Sequence, residues 1–369
     1  MRSSMVAILF SLRVLTAFGE SESSIDLLEY VDRFLANSIE LEETTQAALE
    51  AREAFDDAKV GLQSTYVLGL LESELIYREA LLLAAESANV RLAFQTVFAS
   101  MAATESLRFA SIAEEIATAV YTRSEELSSK EYVSVRDALV ANMAYMQAGA
   151  NTRAAADAKR AAQNALIRSI VGEMACLEVE VFDLAIQMPE IPEARLWIEH
   201  DHEVVKLRTN LRLHGGRRDF MFESNLFSPA EIGAIEQTMV DVERALQQRV
   251  WFLDDHLEQR HSQIAGNTEA KTIAEINSRV KSIELEQARY EYERGDIYAS
   301  DLTAAELALE VAEEEIASLK RGHLLLVLDA LSIANVRTSQ WVNERWGGGS
   351  AAPRGPHSQP GRATSAMSS

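Results

Sequence analysis

Apolar positions recur at helical spacing over most of this chain, and the breaks between them are few. In residues 40–59, Leu41, Ala48, Phe55 and Ala58 lie on or near one stripe, which predicts a helix. Gly61 ends it. Ser64-Thr65-Tyr66-Val67-Leu68 is a short β-like run before Gly69. From residue 72 to about 126 there is neither Pro nor Gly, so the pattern predicts one helix of roughly 80 Å at 1.5 Å per residue. A small globule cannot cover a helix of that length, which must therefore lie along other long helices.

Leu127-Ser128-Ser129-Lys130 interrupts the pattern, and a second helix is predicted over 133–170. It is rich in alanine (Ala154-Ala155-Ala156, Ala161-Ala162), which permits close helix approach. Gly172, Pro189 and Pro192 mark a boundary, followed by a short helix over 192–207. His214-Gly215-Gly216-Arg217 is a turn signal, and 220–227 reads as a strand. Ser228-Pro229 with Glu231 is a capping box opening a helix that runs to about residue 294, with Gly266 its one weak point. Gly295 stops it, and 301–343 is the last long helical stretch. The order of the first half thus recurs in the second, as an internal repeat. With an offset of 164, Val133 pairs with Ile297, Asp137 with Asp301, Ala141 with Ala305, Ala144 with Ala308 and Ala148 with Ala312.

Composition narrows the function. The 369 residues carry 35 Lys and Arg against 57 Asp and Glu, a net charge of −22, which argues against a nucleic-acid partner. Apolar residues at 47% suffice for a core, while 6 prolines and 7% aromatics speak for helices over sheets. The single cysteine, Cys176, excludes an intrachain disulfide framework and a Cys-rich metal site, and between Ala175 and Leu177 it reads as a packed small residue rather than a nucleophile. Arg2, the apolar residues 5–15 and Ala17-Phe18-Gly19 form an export signal over 1–19, with a cut before Glu20. The run Leu324-Leu325-Leu326-Val327-Leu328 ends at Asp329 and is a packing stripe, too short for a membrane span. Residues 347–369 are rich in Pro, Gly and Ser and read as a flexible tail. No Gly-x-Ser-x-Gly, phosphate loop or His-Glu-x-x-His occurs, so no enzyme and no cofactor is expected. Glu199-x-x-His202 and Glu258-x-x-His261 have the spacing of di-iron bundle ligands. The alternative for them is charge on exposed helix faces, so the reading here is that no metal is bound.

One hairpin carries a family resemblance. Ala288-Arg289-Tyr290-Glu291-Tyr292-Glu293-Arg294-Gly295-Asp296-Ile297-Tyr298, with Asp301-Leu302 and Ala305-Glu306-Leu307-Ala308-Leu309, resembles the hairpin of TolC-like outer-membrane efflux proteins. So do Asn37-Ser38-Ile39-Glu40-Leu41 and Ala47-Ala48-Leu49-Glu50-Ala51-Arg52 near the start. The resemblance covers residues 25–335 and implies a mainly α fold. In it, long antiparallel hairpins in two repeats form a trimeric helical barrel, with short β segments as a reduced outer-membrane barrel. It implies repeats over 20–172 and 173–346, with strand regions at about 61–71 and 211–228. It implies passive export through a homotrimer in the outer membrane and periplasm, served by a periplasmic adaptor and an inner-membrane pump.

On this reading Tyr292, Gly295, Asp296 and Asp301 are the aperture residues, because carboxylate rings at a narrow mouth attract cations. The plain alternative is a C-cap glycine and an acidic helix start. Lys130, Tyr132 and Asp137 at the other tip are adaptor contacts, or a solvated turn. Glu131 stands where Gly295 aligns, so a different turn geometry is expected there. Two other functions fit the helices: a periplasmic coiled-coil scaffold without a pore, and a metal-binding helical bundle.

Overall fold

The computed structural model describes residues 24–61, 63–170, 178–180, 198–199, 201–224, 226–333, 338–340 and 342. The expected signal (1–19), the tail (347–369) and Cys176 lie outside them. Strand β1 (Ser24–Asp26) leads into α1 (Leu27–Ala36), α2 (Ile39–Val60), α3 (Thr65–Ser129) and α4 (Val135–Ser169). Then come β2 (Glu178–Glu180), α5 (His202–Ser224), α6 (Pro229–Glu293) and α7 (Ala299–Ile333). Helices α3 and α6 have 65 residues each, about 97 Å at 1.5 Å per residue.

The two long hairpins repeat at an offset of 164 residues, α3 and α4 matching α6 and α7 end for end. Ser64 and Ser228, 164 positions apart, are both N-caps whose hydroxyls accept the N–H three residues on. Helices α4 and α7 both have 35 residues, and α2 and α5 have 22 and 23.

Each half folds as a long helix with a shorter antiparallel neighbour at either end. At one end α4, α3, α7 and α6 lie side by side in that order. At the other end the order is α2, α3, α5, α6. The main apolar cluster sits near the middle, where α1 lies across α3. There Tyr30 and Phe34 meet Phe94, Val97 and Phe98 of α3, Leu166 of α4, and Leu324 and Leu328 of α7. β1 and β2 pair in parallel beside it, Ile25 opposite Val179. That short pair had no sequence signal.

Both expected strand regions are helical instead. Helix α3 starts at Thr65, so the β-like run 64–68 and most of 61–71 belong to its first turns. The Ser64 cap and packing against α5 override the β preference of Thr65, Tyr66 and Val67. Gly69 is a close-approach residue, since a Cβ there would stand 2.7 Å from Leu213 Cδ2. Likewise α5 runs unbroken through Gly215-Gly216 to Ser224, across the expected turn at 214–217 and most of the strand at 220–227. Within the expected helix 192–207, Ile198 and Glu199 are helical, Asp201 is not, and α5 runs from His202 past Leu207. At both places where strands were expected, one helix ends and, after four intervening residues, the next begins: Val60 to Thr65 and Ser224 to Pro229. No described helix is long and apolar enough to cross a membrane.

Candidate functional site

The four-helix layer has two unlike open edges, α4 and α6. On α6, Ile273, Ile276, Val280 and Ile283 are exposed at three- and four-residue spacing, with Tyr290 one heptad further on, the seam of a coiled coil. On α4, Val135, Leu139, Met143 and Met146 form an exposed stripe that continues as the exposed small residues Ala150, Ala154 and Ala161. A bulky seam on one edge and a small-residue face on the other are complementary. A contact between unlike edges of identical chains closes into a ring when the rotation allows. The sequence reading missed these residues, although their heptad spacing in otherwise polar helices was the signal.

The two long hairpins end in turns built alike. In α3–α4, the Tyr132 N–H donates to Leu127 O at 2.9 Å and the Glu131 N–H to Ser128 O at 3.0 Å. In α6–α7, the Asp296 N–H donates to Glu291 O and the Gly295 N–H to Tyr292 O, both at 2.9 Å. Each pair is a Schellman motif, closed by a residue of positive φ: 61° at Glu131 and 78° at Gly295. The expected difference in geometry at Glu131 is therefore absent, because Glu131 accepts the left-handed conformation that glycine takes freely.

The candidate residues divide between these turns. Tyr292, Gly295, Asp296 and Asp301 share the α6–α7 turn, whereas Lys130, Tyr132 and Asp137 share the α3–α4 turn. Lys130 caps α3, and Tyr132 is 78% exposed. Asp137 sits at the third position of α4, where its carboxylate accepts the Ser134 hydroxyl at 2.6 Å. At the equivalent place Asp301 accepts the Tyr298 N–H at 2.9 Å. Asp296 lies 3.1 Å from Arg294 Nε. The Arg123 guanidinium of α3 stands 3.0 Å from the Tyr298 ring centroid, which joins the two tips within one chain.

Polar chemistry concentrates where α5 begins and α7 ends. Asp201 is 2% exposed. It accepts the Glu203 and Val204 N–H groups and a two-nitrogen contact from Arg249, at 3.1 and 2.7 Å. Burial disfavours its charge, but the hydrogen bonds from Arg249 and Val204 outweigh it and hold the carboxyl below the usual range. A cavity of about 220 Å³ opens beside it, lined also by His202, His256, Arg260 and Asp329. Arg260 pairs with Asp329 at 2.5 Å. Each guanidinium here has a carboxylate, so the cavity is a braced joint between helices. The His202 ring lies tilted beside Tyr77, with ring centroids 5.6 Å apart, and His261 is exposed. Among the described residues no group of three His, Cys, Asp or Glu could hold a metal.

Comparison with solved structures finds the same fold in outer-membrane channel proteins. The Campylobacter jejuni CmeC outer membrane channel matches with a TM-score of 0.60 at 14% identity, over 89% of this chain and 93% of that one. CusC, whose structures concern folding and transmembrane channel formation, matches with a TM-score of 0.59 at 12% identity, over 86% and 95%. The outer membrane protein VceC of Vibrio cholerae matches with a TM-score of 0.54 at 13% identity, over 84% and 96%. No family model matches the sequence. Among curated proteins no sequence match is found. The likeness thus lies in the fold.

Proposed function

We propose that this chain is the periplasmic conduit of an export system, assembled as a homotrimer and acting passively rather than as an enzyme. The observation that carries this reading is the pair of complementary open edges on α4 and α6. A protomer alone leaves both stripes in water, at a cost of roughly 25 cal/mol per Å² of apolar surface. A ring of copies covers both. Fold likeness to CmeC, CusC and VceC supports a ring of the channel kind and a place at the outer membrane.

In that ring the long hairpin tips form one mouth. Asp296 and Asp301, with Tyr292 and the turn glycine Gly295, would line it as acidic rings, while Lys130, Tyr132 and Asp137 meet a periplasmic adaptor that couples to an inner-membrane pump. Their exposure at one end of the bundle, linked through Arg123 and Tyr298, supports a joint role. Asp296→Asn with Asp301→Asn should then change the cation sensitivity of export, and unchanged sensitivity would remove both from the gate. At the other end the short connections between helices, where strands were expected, would leave the cylinder abutting the outer membrane.

The test is electron microscopy of the purified protein with mass determination by light scattering. Three-fold particles with a central lumen support the conduit. A monomer, or a solid bundle without a lumen, overturns it in favour of a scaffold.

A further inference from the structure

A cavity of about 410 Å³ lies just beyond the point where α1 crosses α3, on the side toward the long hairpin tips. Its floor is one face of α3, where Val97, Ser100, Met101, Thr104 and Glu105 recur at three- and four-residue spacing. Its walls are α4, with Lys159 and Leu166, and α7, with Glu314 and Arg321. The Thr152 hydroxyl on the Ala110 carbonyl at 3.1 Å and Arg108 on Glu310 at 2.7 Å fix how the walls run past the floor. Leu166 is thus about level with Val97, and Lys159 and Glu314 are about level with Thr104. Val179 of β2 packs at the Leu166 end, against the main apolar cluster. That end is apolar, with Val97 and Leu166 at 1% and 2% exposure, and the other end is polar. At the polar end each carboxylate has an arginine: Glu105 pairs with Arg108 at 2.8 Å, and Arg321 reaches along its wall to pair with Glu314. Lys159 is partly buried and has no ion pair or hydrogen bond among the described residues.

We propose that this cavity binds an amphiphile with one carboxylate and an alkyl chain, the head on the Lys159 ammonium and the chain over Met101 and Val97 toward Val179. A partly buried ammonium without a counter-charge carries a desolvation cost, which a ligand carboxylate would offset with a charge-assisted hydrogen bond. An apolar lining with a few convergent polar groups is the usual make-up of a small-molecule site, and the volume falls in the ordinary range for one. The neighbouring carboxylates select a single negative charge. A phosphate monoester carries more than one at pH 7, and the excess would face Glu105 and Glu314. The chain as a whole repels anions, at a net charge of −22, so the attraction has to come from this site. Bound there, the ligand would touch α3 and α4 of the first long hairpin and α7 of the second, and hold the two together. The site is complete within a single chain and needs neither a ring nor a lumen, so it stands or falls apart from the conduit reading.

The test is isothermal titration calorimetry of the full chain with dodecanoate below its micelle concentration, with dodecylammonium and dodecyl phosphate as probes of the head. Dodecanoate should bind saturably, one per chain, and more tightly than either other probe. Lys159→Gln should weaken dodecanoate about tenfold or more while helicity stays unchanged. Lys159→Glu should reverse the preference toward dodecylammonium. Lys320→Gln, at an exposed lysine of α7 outside the cavity, should bind as wild type. Acetylation followed by mass spectrometry gives a second readout, in which dodecanoate should shield Lys159 and leave Lys320 reactive. Absence of saturable binding overturns the site. Dodecylammonium binding as tightly as dodecanoate overturns it too, as the mark of adsorption on an acidic surface, and dodecyl phosphate binding as tightly overturns the carboxylate assignment. Undiminished binding by Lys159→Gln, or a Lys159 acetylated at the same rate with dodecanoate present, overturns the proposal as well.

Discussion

Glu131 and Gly295 occupy the same position in two copies of one turn, 164 residues apart, and both hold a left-handed backbone, at φ 61° and 78°. Each donates its N–H to the carbonyl three residues back and closes a Schellman motif. Glycine adopts that conformation freely, whereas a residue with a Cβ pays about 1–2 kcal/mol.

Replacing Glu131 by glycine should therefore stabilise the protein, by about 0.5–1 kcal/mol once the greater freedom of glycine in the unfolded chain is set against the relieved strain. Gly295→Ala should destabilise it by about 1 kcal/mol. Chemical denaturation of the two variants checks both signs. A destabilising Glu131→Gly would mean that the Glu131 side chain contributes more than its backbone costs.

The joint at Asp201 should be sensitive to its cation. Arg249→Met leaves an almost fully buried carboxylate with backbone donors alone. Because Arg249 is itself partly exposed, a loss of about 2–3 kcal/mol is expected, below that of a fully buried pair. Asp201→Asn keeps the cap of α5 and should cost less. Equal losses in thermal unfolding would contradict the role of the charge.

Stability should fall with pH in the range where imidazole titrates. Burial, reinforced by the charge of Lys271, holds His323 below the ordinary value of 6.5, and neither of its ring nitrogens has a hydrogen-bond partner. Burial likewise lowers His202, against the opposing pull of Asp201, and lowers His214. A group whose folded pKa is depressed takes up its proton more readily when unfolded. Its stabilising effect is thus complete above pH 6.5 and is lost as pH falls through the folded value. The melting temperature should drop between about pH 7.5 and 5.5, and His323→Leu should shrink the drop. Parallel pH profiles for variant and wild type would exclude His323 as a contributor.

Charge on the α6 seam should dissolve the assembly and spare the fold. Ile276→Glu with Ile283→Glu alters side chains that are 57% and 65% exposed in the single chain. Helicity and melting of the protomer should change by about 0.5 kcal/mol or less, whereas each lost isoleucine removes about 1.5–3 kcal/mol from the contact between copies. Light scattering should then show a monomer where the wild type is oligomeric. An unchanged mass would place the contact elsewhere.

What could be read from the sequence was what local chemistry decides. Ser228 with Glu231 and Gly295 act within one turn of helix, and the run after residue 72 holds no residue that would break one; the structure has helix α6, its end and helix α3 at those places. The expected strands failed because tertiary packing decided them. Thr65-Tyr66-Val67 has β preference, but Ser64 caps a helix there and Leu213 presses against Gly69. Gly215 and Gly216 likewise stay helical within α5. Periodicity revealed apolar stripes without saying which face a neighbour inside the chain. For that reason the α6 seam emerged only once the helices were placed. The turn residues Asp137 and Asp301 were found by alignment of the repeat, and their capping geometry explains the shared aspartate.

Cross-linking of the two edges decides most directly whether copies of this chain close into a ring. The pairing of Arg108 with Glu310, of Arg289 with Glu306 and of Thr152 with the Ala110 carbonyl sets Ala154 of α4 about level with Ile283 of α6. Both are exposed. A chain carrying Ala154→Cys and Ile283→Cys, with Cys176→Ala, should form disulfides between copies on oxidation and run as a ladder ending at three chains. A protein that stays monomeric under oxidation, or a ladder that extends without limit, would contradict a closed trimeric conduit.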